Sequence, residues 1–343
     1  MTKNQSLLNR IRSCAAEEGF VLCGATAAVA PAGHNHLVQW IESGFAASMN
    51  YFAERIDAYQ HPSGVLPGAK SIVALAYPYA AQPHSELPIN HGKLARYTWQ
   101  GTDYHDVIHP KLKRICRLIR EIDHDANARG VVDTAPLMER EFAQLAGLGW
   151  RGKNTLLLNK TLGSYFFLAC VLIDVELPYD QPHESSHCGT CTACLDACPT
   201  DAFPAAGVLD ASRCISYLTI EHRESIDEKL RDGIGDWLFG CDICQEVCPW
   251  NRKPARTQSV STPKLDRLEL TGLFAMNDDD FRKRFRKTPL WRTKRRGLLR
   301  NAAIVLANQG NVSAISALQI GTKDNDPMIA EACKWAITKI SNH

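Results

Sequence analysis

The chain has 343 residues, 45% hydrophobic and 22% charged, with a formal net charge of +2, which supports buried cores, excludes a disordered chain and predicts two or three domains. Thirteen cysteines without an apolar leader after Met1 exclude a disulfide-stapled secreted protein and predict reduced thiols in the cytoplasm. The longest apolar run, Tyr165–Ile173, is too short to span a bilayer, so no membrane role is expected.

Leu7, Leu8, Ile11 and Cys14 share one face of a helix predicted over residues 3–19. Val21–Gly24 predicts a short strand, and helical stretches follow at His36–Phe45 and Ser48–Tyr59 before a turn at residues 61–64. Ser71–Tyr79 is apolar and reads as a buried strand. After the polar stretch Pro83–Gly92, Pro110 suits a first helical position, predicting a helix from there to Ile122. A strand from Gly130 ends at Asp133, a helix runs from Pro136 to about Ala146, and strands follow near Thr155–Leu158 and Ser164–Asp174. This alternation predicts an α/β or α+β sandwich over residues 1–176.

Gly147-Leu-Gly-Trp-Arg-Gly-Lys-Asn154 matches two phosphate-loop patterns in letters, but a helix precedes it and a strand follows, the reverse of what those loops require. His105 and His109 have a metal-binding spacing, yet with Pro110 opening the helix they read as a solvated pair, as do His183 and His187 in a linker. Asp133 stands at the carboxyl end of a strand, where side chains face ligand crevices. A helix-entry cap is its plainer alternative.

Residues 177–252 carry the strongest signal. Cys188-x2-Cys191-x2-Cys194-x3-Cys198-Pro is the run of two-cluster bacterial ferredoxins, in which the fourth cysteine of a run serves the other cluster. The second run, Cys241-x2-Cys244-x3-Cys248-Pro, has Leu238 where its first cysteine should fall, and Cys214 is the free candidate nearby. The expected ligand sets are Cys188, Cys191, Cys194 and Cys248 for one 4Fe–4S cluster, and Cys198, Cys214, Cys241 and Cys244 for the other. Structural zinc also uses paired cysteines, but fits three in a row poorly.

Residues 253–343 form the third predicted unit, entered through a linker at Trp250–Lys264. Leu298–Ala307 and Met328–Ile337 match in pattern thirty residues apart, as in helical-hairpin repeats of the HEAT kind. Residues 252–300 carry 15 Lys and Arg against 5 Asp and Glu, while the remainder carries 24 against 32. So segregated a charge predicts a polyanionic partner.

Taken together the chain resembles the epoxyqueuosine reductases, cobalamin-dependent enzymes of tRNA queuosine synthesis. The resemblance rests on Arg96-Tyr97, Asp103-Tyr-His105, Asp133-x-x-Pro136, the Gly147–Asn154 turn, Gly163-Ser164-x-Phe-Phe-Leu168, the double-cluster run and the repeat tail. It implies an α+β protein with an N-terminal α/β cobalamin-binding domain, a ferredoxin-like double-cluster module and HEAT-like repeats. It implies a monomer holding cobalamin with no protein ligand on the lower face, in keeping with a missing glycine after Asp103-x-His105. Asp133 matches the family's proton donor, and burial beside the corrin is expected to keep it protonated. By position, cobalamin contacts carry over to Arg55, Tyr97, Asn154, Ser164, Ser216 and Asp242. tRNA contacts fall on Lys294, Arg295, Arg296 and Arg300, with a low-potential electron donor as second partner. Ala330-Glu331 departs from the family, where an arginine is usual. The competing expectations are a reductive dehalogenase, which would carry an export signal and no basic tail, and an iron–sulfur electron carrier with an RNA-binding tail.

Overall fold

In the computed structural model, which describes residues 2–79, 82–252 and 265–342, the N-terminal part is organised by two long apolar strands. β1 (Leu22–Ala27) pairs with β2 (Ser71–Pro78). β3 (His91–Leu94) belongs to a different sheet, β4 (Ala128–Val131) is an edge, and β5 (Trp150–Arg151) and β6 (Leu157–Leu158) make a small hairpin. β7 (Phe166–Ile173) lies between β2 and β4, giving the order β1-β2-β7-β4 with every pairing antiparallel. The α/β expectation for this domain is therefore corrected to α+β: neighbouring strands run in opposite directions and no parallel crossover is formed.

Both faces of the sheet are covered, so β2 and β7 are apolar along their length rather than alternating. Val73, Leu75, Ala169, Val171 and Ile173 face the helices Lys3–Glu17 and Tyr104–Ile122, where Leu7, Leu8, Ile11, Ile108, Leu112 and Ile115 are buried. Ile72, Ala74, Cys170 and Leu172 face the helix Glu139–Leu145 through Phe142 and Ala143. Each such Leu, Ile or Val stabilises the fold by roughly 1.5–3 kcal/mol on burial.

The helix Tyr104–Ile122 begins six residues before Pro110, contrary to the expectation from sequence. Asp103 caps it, its side chain accepting from the His105 N–H at 2.9 Å, and Pro110 sits inside. His105 and His109 consequently stack one turn apart on a helix, ring centroids 5.9 Å apart.

β8 (Trp237–Phe239) and β9 (Arg267–Glu269) flank β3, parallel and antiparallel respectively. This three-stranded sheet takes one strand from each of the three segments read from the sequence. Beneath it lies a core shared by Leu94, Leu238, Phe239, Leu268 and the C-terminal helices Lys294–Gln309, Ile315–Gly321 and Pro327–Ser341. The stretches matched for repetition fall within the first and last of those helices. Pro254 and Pro263 of the expected linker lie outside the described residues. Among the described residues no helix is long and apolar enough to cross a membrane.

Candidate functional site

The eight cysteines singled out by spacing are all unpaired thiols, and they converge. Cys194 lies within electrostatic reach of Cys248, Cys188 and Cys191. Cys241 neighbours Cys244 and Cys214, and Cys214 neighbours Cys198. Cys244 also reaches Cys194, so the two groups are adjacent. Backbone amides point at the sulfurs: Ala202 N–H donates to Cys198 Sγ at 3.3 Å, and the amides of Ser216 and Tyr217 reach Cys214. Such donors stabilise the negative charge of a thiolate-held cluster. Leu238, at the position of the missing cysteine, is fully buried in the core of β8.

A second concentration of polar groups forms where β4 ends. Asp133 adopts φ 59°, a left-handed conformation disfavoured for any residue with a Cβ. Three groups hold it there. The Asp133 N–H donates to Glu139 Oε1 at 3.0 Å, the Arg55 guanidinium donates to the Thr134 carbonyl at 3.0 Å, and the Tyr104 hydroxyl donates to Asp133 Oδ2 at 2.7 Å. His105 Nε2 stands 3.9 Å from the same oxygen, and its other ring nitrogen is 2.8 Å from Asp103 Oδ1. The following helix starts only at Glu139, and the Asp133 side chain is 55% exposed, so it caps no helix and faces outward.

Burial, and secondarily the charge of Asp133, pushes the Glu139 carboxyl up to about 8. An acid whose pKa is raised on folding binds more protons folded than unfolded between 4.5 and about 8, so stability falls as pH rises through that window and is flat above it. Glu139→Gln keeps an oxygen for the Asp133 N–H. Denaturant titrations from pH 5 to 9 are expected to show this variant with a smaller loss of stability than the parent; an unchanged slope would refute the assignment.

A wall of rings runs from Asp133 towards the cysteines. Tyr104 stacks on Phe167 with centroids 4.4 Å apart. Tyr97 meets Tyr104 and Phe167 edge-on and packs near Phe239, two residues before Cys241. Gly240, at φ 71°, allows that approach, since a Cβ there would come within 2.6 Å of Ala95 Cβ. Along the same route Asn154 is buried, its amide 3.4 Å from the Cys244 carbonyl. The Ser164 hydroxyl donates to Gln245 Oε1 at 2.9 Å. Asp242 is 1% exposed and accepts from the Arg96 backbone at 2.8 Å and its guanidinium at 3.2 Å, so its carboxylate is engaged within the protein. Ser216 is half-buried beside Cys214.

The basic C-terminal stretch divides. Lys294 is exposed above the Trp291 ring, and Arg296 is 42% exposed beside Asp326. Arg295 is bound to Asp324 and to the Met276 carbonyl. Arg300 was expected to meet RNA and does not face solvent: it is 1% exposed, donating to the carbonyls of Leu218, His222 and Glu224 at 2.6, 2.9 and 2.6 Å. The cause is a helix buried on all sides from Gly297 to Ala307, where a guanidinium is tolerated only if its donors are satisfied. Nothing in the sequence singles out Arg292, which lies close enough to Asp133 to feel its charge while bonded to Glu221. Nor does Glu139 stand in a pattern that would mark it.

Comparison with known proteins identifies the family. Residues 60–134 match the family model described as "Epoxyqueuosine reductase QueG, DUF1730", and residues 187–251 match a "4Fe-4S double cluster binding domain". The epoxyqueuosine reductase of Cyclobacterium marinum is 43% identical, the match covering 86% of this chain and 95% of that one. The chain belongs to the epoxyqueuosine reductase family. Two solved reductases superpose along nearly its whole length. One is a crystal structure with a tRNA-Tyr epoxyqueuosine-modified stem loop (TM-score 0.90, 31% identity, covering 98% of this chain and 90% of that one). The other is the Bacillus subtilis enzyme with its aspartate catalytic loop swung out of the active site (TM-score 0.88, 30% identity, 98% and 90%).

Proposed function

We propose that this reductase converts the epoxide of epoxyqueuosine, at the wobble position of tRNA, to the alkene of queuosine. The reaction takes two electrons and two protons, breaks both C–O bonds of the ring and releases water. The observation that carries the reading is the outward-facing Asp133, held in a strained turn at the far end of an aromatic wall that starts beside the cluster cysteines. As an oxygen leaves carbon it develops alkoxide charge, and Asp133 is the acid placed to protonate it. Tyr104 and His105 orient its carboxyl, while Glu139 and Arg55 fix the backbone of the turn. The swung-out aspartate loop of the Bacillus subtilis enzyme supports a turn with two positions.

The cysteine sets proposed from spacing are retained: Cys188, Cys191, Cys194 and Cys248 for the outer cluster, and Cys198, Cys214, Cys241 and Cys244 for the inner one. Electrons come singly from a low-potential donor. The residues between the inner set and Asp133 fit a cobalamin: a broad aromatic wall suits a flat macrocycle, and the buried amide and hydroxyl of Asn154 and Ser164 suit its amide-bearing rim. Arg55, Tyr97 and Ser216 are the further proposed contacts, and Asp242 acts by holding Arg96. When bound, cobalamin would supply a strongly reducing cobalt centre.

The three C-terminal helices, proposed as HEAT-like repeats, present Lys294 and Arg296 to the RNA, whose modified base turns outward to reach Asp133. The double reversal Lys294→Glu with Arg296→Glu is expected to weaken tRNA binding and lower its salt slope by ~1–2, with cluster spectra unchanged. Salt titrations that superpose on the parent would remove this surface from the model of binding. The reading as a whole is tested by anaerobic incubation with tRNA carrying epoxyqueuosine and a strong reductant, with and without cobalamin, followed by nucleoside mass spectrometry. Cobalamin-dependent loss of one oxygen supports it. An untouched nucleoside in both arms overturns it.

A further inference from the structure

A cleft of about 660 Å³ opens between the outer side of the helix Tyr104–Ile122 and β4, the edge strand of the main sheet. Its floor is apolar, and its rim is one-signed, with Lys113, Arg117 and Arg120 against a single acid, Glu121, while the Arg129 guanidinium turns to the other face of the sheet, where it donates to the Val65 carbonyl at 2.6 Å. These three cations are exposed. One is fixed by the backbone without losing its charge: Arg120 donates to the Ala128 carbonyl at 2.7 Å. The side chains of Lys113 and Arg117 take part in no hydrogen bond or ion pair among the described residues.

The cleft's position gives this charge a purpose. Both of its walls lead to Asp133. β4 ends two residues before it, and His109 at the cleft's near end stacks on His105, whose ring nitrogen is 3.9 Å from the Asp133 carboxylate. Across Asp133 from this helix stands the basic C-terminal stretch. There Arg292 is within electrostatic reach of Asp133, and the Lys287 carbonyl accepts the Asp103 N–H at 2.9 Å. The Asp133 turn therefore stands where both walls of the cleft end and within reach of a cation of the C-terminal stretch.

We propose that the cleft binds backbone phosphates of the RNA substrate, on the opposite side of the reacting nucleotide from the C-terminal stretch. This rests on the proposed function and deepens it. An RNA whose modified base is turned into the site must leave it in both strand directions, and cations at the cleft and on the C-terminal stretch meet both. The edge strand also gains from the arrangement, because a rim of Lys and Arg discourages pairing with another chain.

The test is Lys113→Glu with Arg117→Glu, in the full chain with its iron–sulfur clusters. Binding of an anticodon stem loop is followed by fluorescence anisotropy across a salt series, using RNA with and without the epoxide nucleoside. Each phosphate contact contributes ~0.7–0.9 to the slope of log K against log salt, so a drop of ~1–2 in slope is expected for both RNAs. In turnover, KM for tRNA is expected to rise at least tenfold with kcat at saturation little changed. Iron content and the thermal midpoint, measured in parallel, confirm that the variant is folded.

An unchanged slope and affinity would overturn the proposal. Unchanged RNA binding with slower reduction by a protein donor would also overturn it, assigning the cleft to that donor. The variant's binding is scored independently of turnover. Loss of the slope in the variant, with a parent that fails to reduce the nucleoside, would sustain the cleft while refuting the reading of the activity.

Discussion

Asp133→Asn is expected to bind tRNA and keep both clusters while its turnover falls by ~10²–10⁴, the usual contribution of a positioned general acid. Asparagine preserves the shape, and its oxygen still accepts from the Tyr104 hydroxyl, which donates to Asp133 Oδ2 at 2.7 Å. Its own N–H then has no backbone task to disturb, because the turn is held by the Asp133 amide on Glu139 and by Arg55 on Thr134. What is lost is a transferable proton. The measurement is single-turnover reduction of epoxyqueuosine in tRNA under a strong reductant, with iron content and stem-loop affinity as controls. Turnover equal to that of the parent would remove Asp133 from the reaction. Loss of turnover together with tRNA affinity would make it a substrate contact instead.

Cys214→Ala is expected to remove one cluster and leave the other. Cys214 is the cysteine that stands outside both C-x2-C-x3-C-P runs, and the structure brings it beside Cys198 and Cys241. A cubane missing one of four thiolates in a partly buried site is readily lost, whereas Cys188, Cys191, Cys194 and Cys248 form a set that does not use Cys214. Iron and acid-labile sulfide should fall to about half, and turnover should be abolished because the electron route is cut. Cys170→Ala, which removes a thiol fully buried in β7, is the control and should keep both clusters. Two intact clusters in Cys214→Ala would send the search for the eighth ligand elsewhere.

The parts of this molecule that were legible in the sequence are those written in local spacing. The double-cluster segment announces itself because a cubane demands three thiolates from one tight loop, and the buried strand Ser71–Pro78 announces itself by its unbroken apolar run. Sheet direction was not legible, since apolar strands look alike whether their neighbours run with or against them. The start of the helix at Tyr104 is not marked by Pro110, which sits inside the helix, but by Asp103, whose side chain caps it. Arg300 was misread for a related reason: a charged letter inside a basic run says nothing of the carbonyls that will surround it once Leu218–Glu224 folds over it. Asp133 lay between these cases. Its place at a strand end was visible, but its left-handed backbone and its partners Tyr104, Glu139 and Arg55 are set by contacts distant in sequence.

The sheet made by β3, β8 and β9 also sets a timetable for synthesis. β3 emerges from the ribosome early, yet its two neighbours lie about 145 and 175 residues later, so its hydrogen bonds wait on chain that has not been made. Every cluster cysteine, Cys188 to Cys248, is translated before β9 is available to close that sheet. The nascent chain therefore exposes a full complement of thiols in an unfinished fold. Cys191 alone of these eight cysteines remains exposed when folding is complete.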